Sequence, residues 1–358
     1  MSRLLTHPSI AAAVTALATV LPLASAAQAA GAPATAHHAT AHRAPTRHAP
    51  ADRAAGVRSA VRVAPAYELP GERVYPEGIA ADPRTGDLYA ASYADGTVFK
   101  TTPGHRVAEV FLPAGADGRR TANGLKVDRA GRLWVIDSTA GVSVYDASSR
   151  RLLAQFTVTG SGETFVNDVA IAPDGAAYLT DSTRAVVYRV TPRDLAKAEA
   201  DGGRAGLTPR FDLDDAPEPP APGASGLNGI VADPSGRYLL TADMTGGVLY
   251  RLDIHTGAIR KVASKGGDML NADGLELQHG RLWVVHNVAN QISRWKVTAN
   301  GLVAREEQRV TDKALKLPTT LVRRNGTLYV VRSQFDKGGP MGPGTPETPF
   351  TIASVDGI

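Results

Sequence analysis

One short pattern recurs six times along the chain, and that recurrence constrains the fold more than any single motif. Each copy opens on an acid, amide or hydroxyl residue, runs on as an apolar alternation, turns, and returns as a second strand. The openings are Glu77 in PEGIAAD, Asn123 in ANGLKVD, Asn167 in VNDVAIAPDG, Asn228 in LNGIVADPSG, Asp273 in ADGLEL and Thr319 in PTTLVRRNG. Successive openings lie 46, 44, 61, 45 and 46 residues apart. The returning strands read LYAAS, LWVID, AYLTD, YLLTAD, LWVVH and LYVVR, and third strands follow them. A period near 45 residues with three or four strands per copy predicts an all-β fold, a six-bladed β-propeller. The long step holds an insertion of about 16 residues within 191–225, expected as a surface excursion with one or two helical turns near 194–200. An open ring would leave a bare sheet edge. An N-terminal strand at 63–69 is therefore expected on the outside of the last blade, beside strands at 317–322, 328–332 and 350–355.

The formal net charge of +4 comes entirely from residues 1–60, which hold five Arg and one Asp. The rest is balanced, so nothing points to nucleic acid or an anionic membrane as a partner. With no cysteine, the chain has no disulfide, thiolate metal site or cysteine nucleophile. Residues 1–29 read as a signal peptide: Arg3, an apolar run from Ile10 to Leu23, and a small-x-small site at Ala27-Gln28-Ala29. The alternative is an uncleaved anchor, although the run falls short of the roughly 20 residues that span a bilayer. Residues 30–61 are mostly Ala, Pro, His, Arg and Thr and cannot bury enough surface to order themselves. They are expected as a disordered linker, and the histidines at 37, 38, 42 and 48 as spacer rather than a metal site. The propeller is expected over 62–358, as a secreted monomer acting on a small molecule.

A propeller brings the start of every innermost strand to one end of its central channel. Five openings offer hard oxygen donors there: the carboxylates Glu77 and Asp273 and the amides Asn123, Asn167 and Asn228. Such a set suits Ca²⁺, or another hard divalent cation, better than Zn²⁺ or Cu²⁺. The plainer reading is that these residues merely start strands, bonding nearby backbone amides. The second strands end on Ser92, Asp137, Asp181, Asp243, His286 and Arg332, which by period-2 counting also reach the channel. Asp137 and Asp181 stand in Asp-Ser-Thr and suit turns that bond their own backbone. His286, in the blade of Asp273, is the histidine placed near the axis, a candidate proton shuttle or a hydrogen-bonded structural residue. No Gly-x-Ser-x-Gly elbow, phosphate loop or dinucleotide fingerprint is present.

On these residues the chain resembles the senescence-marker-protein/gluconolactonase superfamily of six-bladed, calcium-dependent propellers. Relatives of that group include the diisopropyl-fluorophosphatases and the strictosidine-synthase-like propellers. The resemblance runs from about Tyr67 to Arg332 and rests on PEGIA at Glu77, FVNDVAIAPDG at Asn167, GLNGI at Asn228 and ADGLEL at Asp273. It implies one divalent ion held by Glu77, Asn167, Asn228 and Asp273, with Asp273 also serving as base or nucleophile. It further implies a hydrolase in which the ion polarises a carbonyl or phosphoryl oxygen. Two positions depart from the pattern: Phe165 stands where lactonases of the group often carry an Arg that contacts a sugar acid, and Ala272 replaces a Pro. Asn123, Phe165, Asp243 and Thr319 are the candidates for contacting substrate. The expected activity is secreted, metal-dependent hydrolysis of lactones or related esters. The alternative is a non-catalytic extracellular ligand-binding propeller, because one scaffold hosts many functions.

Overall fold

The second strands are apolar along almost their whole length because each is covered on both faces by neighbouring blades, so every residue from Leu88 to Ser92 and from Ala177 to Asp181 is buried. A computed structural model describes residues 61–221, 226–298 and 300–358. The expected leader (1–29) and linker (30–61) lie outside the described residues, apart from Val61. Six antiparallel sheets follow one another, each built around a four-strand meander. Their innermost strands are Pro76–Ala81, Leu125–Val127, Val166–Ile171, Leu227–Ala232, Ala272–Gln278 and Pro318–Arg324, in blades one to six. The architecture is the six-bladed propeller that the repeat period implies.

The ring closes as anticipated. Arg62–Leu69 is the outer strand of blade six and pairs antiparallel with Phe350–Asp356, the last strand of the chain. The core is divided into six apolar wedges, each filled from two adjacent blades. Trp134 and Phe156 of blade two, for example, meet Leu179 and Tyr188 of blade three. No blade buries its own faces alone, which is why one repeat is not a folding unit.

The insertion does more than loop over the surface. Thr191 caps a helix at Pro192–Ala200: its side chain accepts from the Asp194 amide, and the Asp194 carboxylate accepts from the Thr191 amide in return. Leu195 and Ala198 of that helix are buried in the wedge between blades two and three. The chain then lays Arg204–Gly206 parallel to Leu152–Thr157, a fifth strand on the edge of blade two. A short strand at Ala263–Lys265 extends blade five in the same way. Both additions cover edges that would otherwise expose unpaired amides.

Candidate functional site

In five of the six blades the innermost strand carries one extra residue just after it begins. Pairing with the second strand slips between Pro76 and Ile79, Val166 and Val169, Leu227 and Ile230, Ala272 and Leu275, and Pro318 and Leu321. These β-bulges fall on the openings and re-aim their side chains. The residue after most openings is a glycine, because the next blade passes close by. A β-carbon on Gly78 would overlap the backbone carbonyl of Asn123, and one on Gly274 would overlap Thr320. Gly78→Ala should therefore destabilise the fold by about 1–3 kcal/mol, read as a lower urea midpoint at constant slope. An unchanged midpoint would mean that the two blades part at no cost.

Glu77, Asn167, Asn228 and Asp273 line one axial cavity together with Asp168. Its volume is about 10 Å³, room for a single water-sized body. The five side chains come from blades one, three, four and five and are only 5–7% exposed. Of the two amides, Asn167 donates Nδ2 to Ser182 Oγ at 3.0 Å, and Asn228 donates Nδ2 to Met244 Sδ at 3.3 Å. Asn167 Oδ1 is left buried with no partner. Asn287 Nδ2 donates to Asp273 Oδ2 at 2.9 Å and holds that carboxylate in place. Asp168 is spent as a strut between blades three and four, accepting from the backbone amides of Val169 at 2.8 Å and Ile230 at 3.2 Å.

Three carboxylates in so dry a place disfavour their own charge. Burial pushes Glu77 well above the usual carboxylate range, and the charges of Asp273 and Asp168 push it further. Burial also raises Asp273; hydrogen bonding to Asn287 opposes that rise and the charge of Asp168 adds to it. Asp168 is raised by burial, with the charge of Lys126 pulling the other way. Among the described residues no three His, Cys, Asp or Glu side chains form a metal-binding group on their own. The donor set here mixes two carboxylates with two amide oxygens. An unpartnered carbonyl oxygen beside mutually repelling carboxylates fits a hard divalent cation.

The other anticipated residues are placed differently. His286 is fully buried inside blade five, away from the cavity. Its Nδ1 donates to the carbonyl of Leu270 at 2.8 Å, since a carbonyl can only accept. Its Nε2 therefore accepts from Ser293 Oγ at 2.7 Å, and that oxygen accepts from the Trp295 indole at 2.7 Å. His286 is therefore held by hydrogen bonds within its own blade and does not line the axial cavity, the structural one of the two roles expected for it. Asp243 also stays within its blade, accepting from the amides of Thr245 and Gly246. Asp137, Asp181, Ser92 and Arg332 likewise bond within their own blades or adjoining loops. Thr319 uses its hydroxyl on the Glu77 carbonyl at 2.7 Å, latching blade six to blade one. Asn123 is buried beside the cavity, with its own Oδ1 unpartnered. Phe165 is half-buried, its amide donating to Asp181.

The side chains that do reach the axial residues lie one position later. Met244, Ser182 and Asn287 touch Asn228, Asn167 and Asp273 directly. Tyr93, the matching residue of blade one, has its phenol raised by burial and then by the charge of Glu77. The same residues add a rung of backbone bonds beyond the bulges. Tyr93 donates its amide to Tyr75, Ser182 to Phe165, Met244 to Gly226, Asn287 to Asn271 and Ser333 to Leu317. In blade two the Ser138 amide goes to the Thr121 hydroxyl. These pairs make two rings of six residues next to the cavity lining, of which Met244, Ser182 and Asn287 touch the axial residues while Tyr75 and Leu317 pack into the wedge between blades six and one. Asp168 had a signal in the sequence: it occupies the place after the opening where four other repeats have glycine.

The buried imidazole has a consequence for stability. Burial lowers His286 from 6.5 to about 4. A depressed histidine contributes stability above its unfolded value, and that stability is lost as pH falls toward its folded value. Relative to His286→Gln, the wild type should lose on the order of 3 kcal/mol of folding stability between about pH 6.5 and 4, a comparison in which the opposite contribution of the raised axial carboxylates cancels. Parallel pH profiles for the two proteins in urea melts would contradict a neutral buried imidazole.

A family model described as SMP-30/Gluconolactonase/LRE-like region matches residues 75–307. No curated protein matches the sequence significantly. Solved structures share the fold at low identity. A gluconolactonase from Xanthomonas campestris aligns at a TM-score of 0.56 and 18% identity, over 83% of this chain and 90% of its own. The allergen Mala s 1 from Malassezia sympodialis gives 0.56 and 16%, over 81% and 95%. Virginiamycin B lyase from Staphylococcus aureus gives 0.52 and 14%, over 82% and 99%.

Proposed function

Since the chain belongs to the SMP-30/gluconolactonase/LRE-like family, we propose that it hydrolyses lactones or related esters, with a divalent cation, calcium by preference, held on the channel axis. The observation that carries this reading is the convergence of Glu77, Asn167, Asn228 and Asp273 on one cavity, with Asn167 Oδ1 unpartnered. These four residues would hold the ion. When bound, it supplies Lewis-acid stabilisation of the negative charge that develops on the substrate carbonyl oxygen.

The chain's own groups divide the remaining work. Asp273, oriented by Asn287, takes a proton from the attacking water. The water oxygen bonds to the carbonyl carbon, the acyl C–O bond breaks, and the departing alkoxide oxygen recovers the proton from Asp273. A lactone thereby opens to its hydroxy acid. Glu77 anchors, and Asp168 braces the two strands that carry the amide ligands.

A panel of neutral lactones, aryl esters and organophosphates, assayed with calcium, tests the reading. Turnover above that of a chelated control supports it. Silence across the panel would leave a binding propeller instead. Export is proposed from the leader expected at 1–29, and a mature N-terminus near residue 30 in the culture medium would establish it.

A further inference from the structure

The two rings next to the cavity differ in chemistry from its lining. Neither ring of six carries a single charged residue. Most of the rings' polar members are already spent on the frame. Thr121 and Ser138 bond each other, Ser182 and Ser333 bond backbone carbonyls, and Asn287 holds Asp273. The Tyr75 hydroxyl donates to the Lys337 carbonyl. Asn271 and the Tyr93 hydroxyl are what those bonds leave for a ligand, too little to satisfy a polyol whose every hydroxyl must be paired when buried.

Three cations on the surrounding loops already hold partners. Arg184 donates to the carbonyls of Thr159, Gly162 and Glu163. Lys316 pairs with Glu347, and Arg120 donates to the Thr139 hydroxyl. To bind an anion these side chains would have to give up their present hydrogen bonds.

Apolar side chains are available in their place. Met244 lies against Asn228, with Sδ 3.3 Å from Nδ2, so apolar surface reaches the donor set itself. Among the described residues six large apolar side chains are well exposed, and two of them, Leu270 and Val288, flank the ring residues Asn271 and Asn287. Both belong to the blade that carries Asp273, each is 48% exposed, and Leu270 leans over Gly247 of blade four. Half-buried Phe165 and Tyr93 stand on blades three and one.

We propose that the substrate is a neutral lactone or ester bearing an apolar arm, and that Met244, Leu270 and Val288 receive this arm on the rim between blades four and five. The inference rests on the hydrolase reading above. The arm stays in contact with the rim while the carbonyl reaches the axis, so its burial contributes to kcat/KM.

The test is a homologous series of δ-lactones with alkyl arms from none to seven carbons, with D-glucono-δ-lactone for comparison, assayed on the full chain in calcium. Each added methylene should raise kcat/KM by about fourfold until the rim is covered, since a buried methylene is worth about 0.8 kcal/mol. Leu270→Ser and Val288→Ser, both at exposed positions, should flatten that dependence. A flat series, a preference for gluconolactone, or an unchanged slope in both variants would overturn the inference while leaving hydrolysis standing. Failure of every lactone to turn over would bring down the hydrolase reading, and this inference with it.

Discussion

Asp273→Asn should leave a folded protein that opens lactones at least 10²–10⁴-fold more slowly, the range that a lost general base costs. The substitution keeps the shape of the side chain, so the bulge at Ala272–Leu275 and the contact with Asn287 have little reason to change. It removes a charge from a cavity in which burial already opposes charge. The expected stability effect therefore changes sign with the medium. In chelator the variant should melt higher than wild type, because one of three mutually repelling buried carboxylates is gone. In calcium it should melt lower, because a charged ligand is gone. Activity within tenfold of wild type would remove Asp273 from the mechanism, and an unchanged melting order in the two media would remove it from the ligand set.

Calcium itself should produce the second large effect. A ligand that binds only the folded state stabilises it by about 2.7 kcal/mol at a hundredfold excess over its dissociation constant. For domains of 150–250 residues each kcal/mol moves the melting temperature by about 2–4 °C, so a rise of roughly 5–10 °C over the chelated protein is expected. Magnesium should do less, because its small octahedral shell tolerates irregular donors from four separate blades poorly. Asn167→Ala should abolish most of the shift by deleting the oxygen that has no partner in the protein. If chelator leaves the melting curve where calcium puts it, the axial cavity is a structural detail and holds no ion.

Much of this arrangement was legible before any coordinates. The spacing of the openings counts the blades, and the closure of blade six by an N-terminal strand follows from the cost of an open sheet edge. Even the candidate donors could be listed, because hard oxygen residues recur at the same place in successive repeats. The side chains that meet the axial residues lie one position beyond the strand ends for a simple reason. Side chains alternate along a strand, so any error in parity sends the set to the wrong face. The last residue of each second strand points into its blade, as His286 does toward Ser293. The next residue, Asn287, crosses to the axis and meets Asp273. The bulge on the facing strand adds one residue to the count, and nothing in the local pattern of apolar residues announces that.

The role of Asp168 is hidden in the sequence for a related reason. Its sequence neighbours suggest only a turn-prone Asn-Asp pair, yet its carboxylate bridges to Ile230, 62 residues away in the next blade. Period, strand order and donor types are local properties, written in residue identity at fixed intervals. Which side chains share the axis depends instead on bulges, on blade-to-blade contacts and on ring closure, where Thr319 reaches Glu77 across 242 residues of chain. Those contacts form only when all six blades pack. So the stretch around Asp273 announced a propeller blade and a candidate ligand by itself, whereas the meeting of Asp273 with Glu77, Asn167 and Asn228 of three other blades in one cavity was decided by the closed ring.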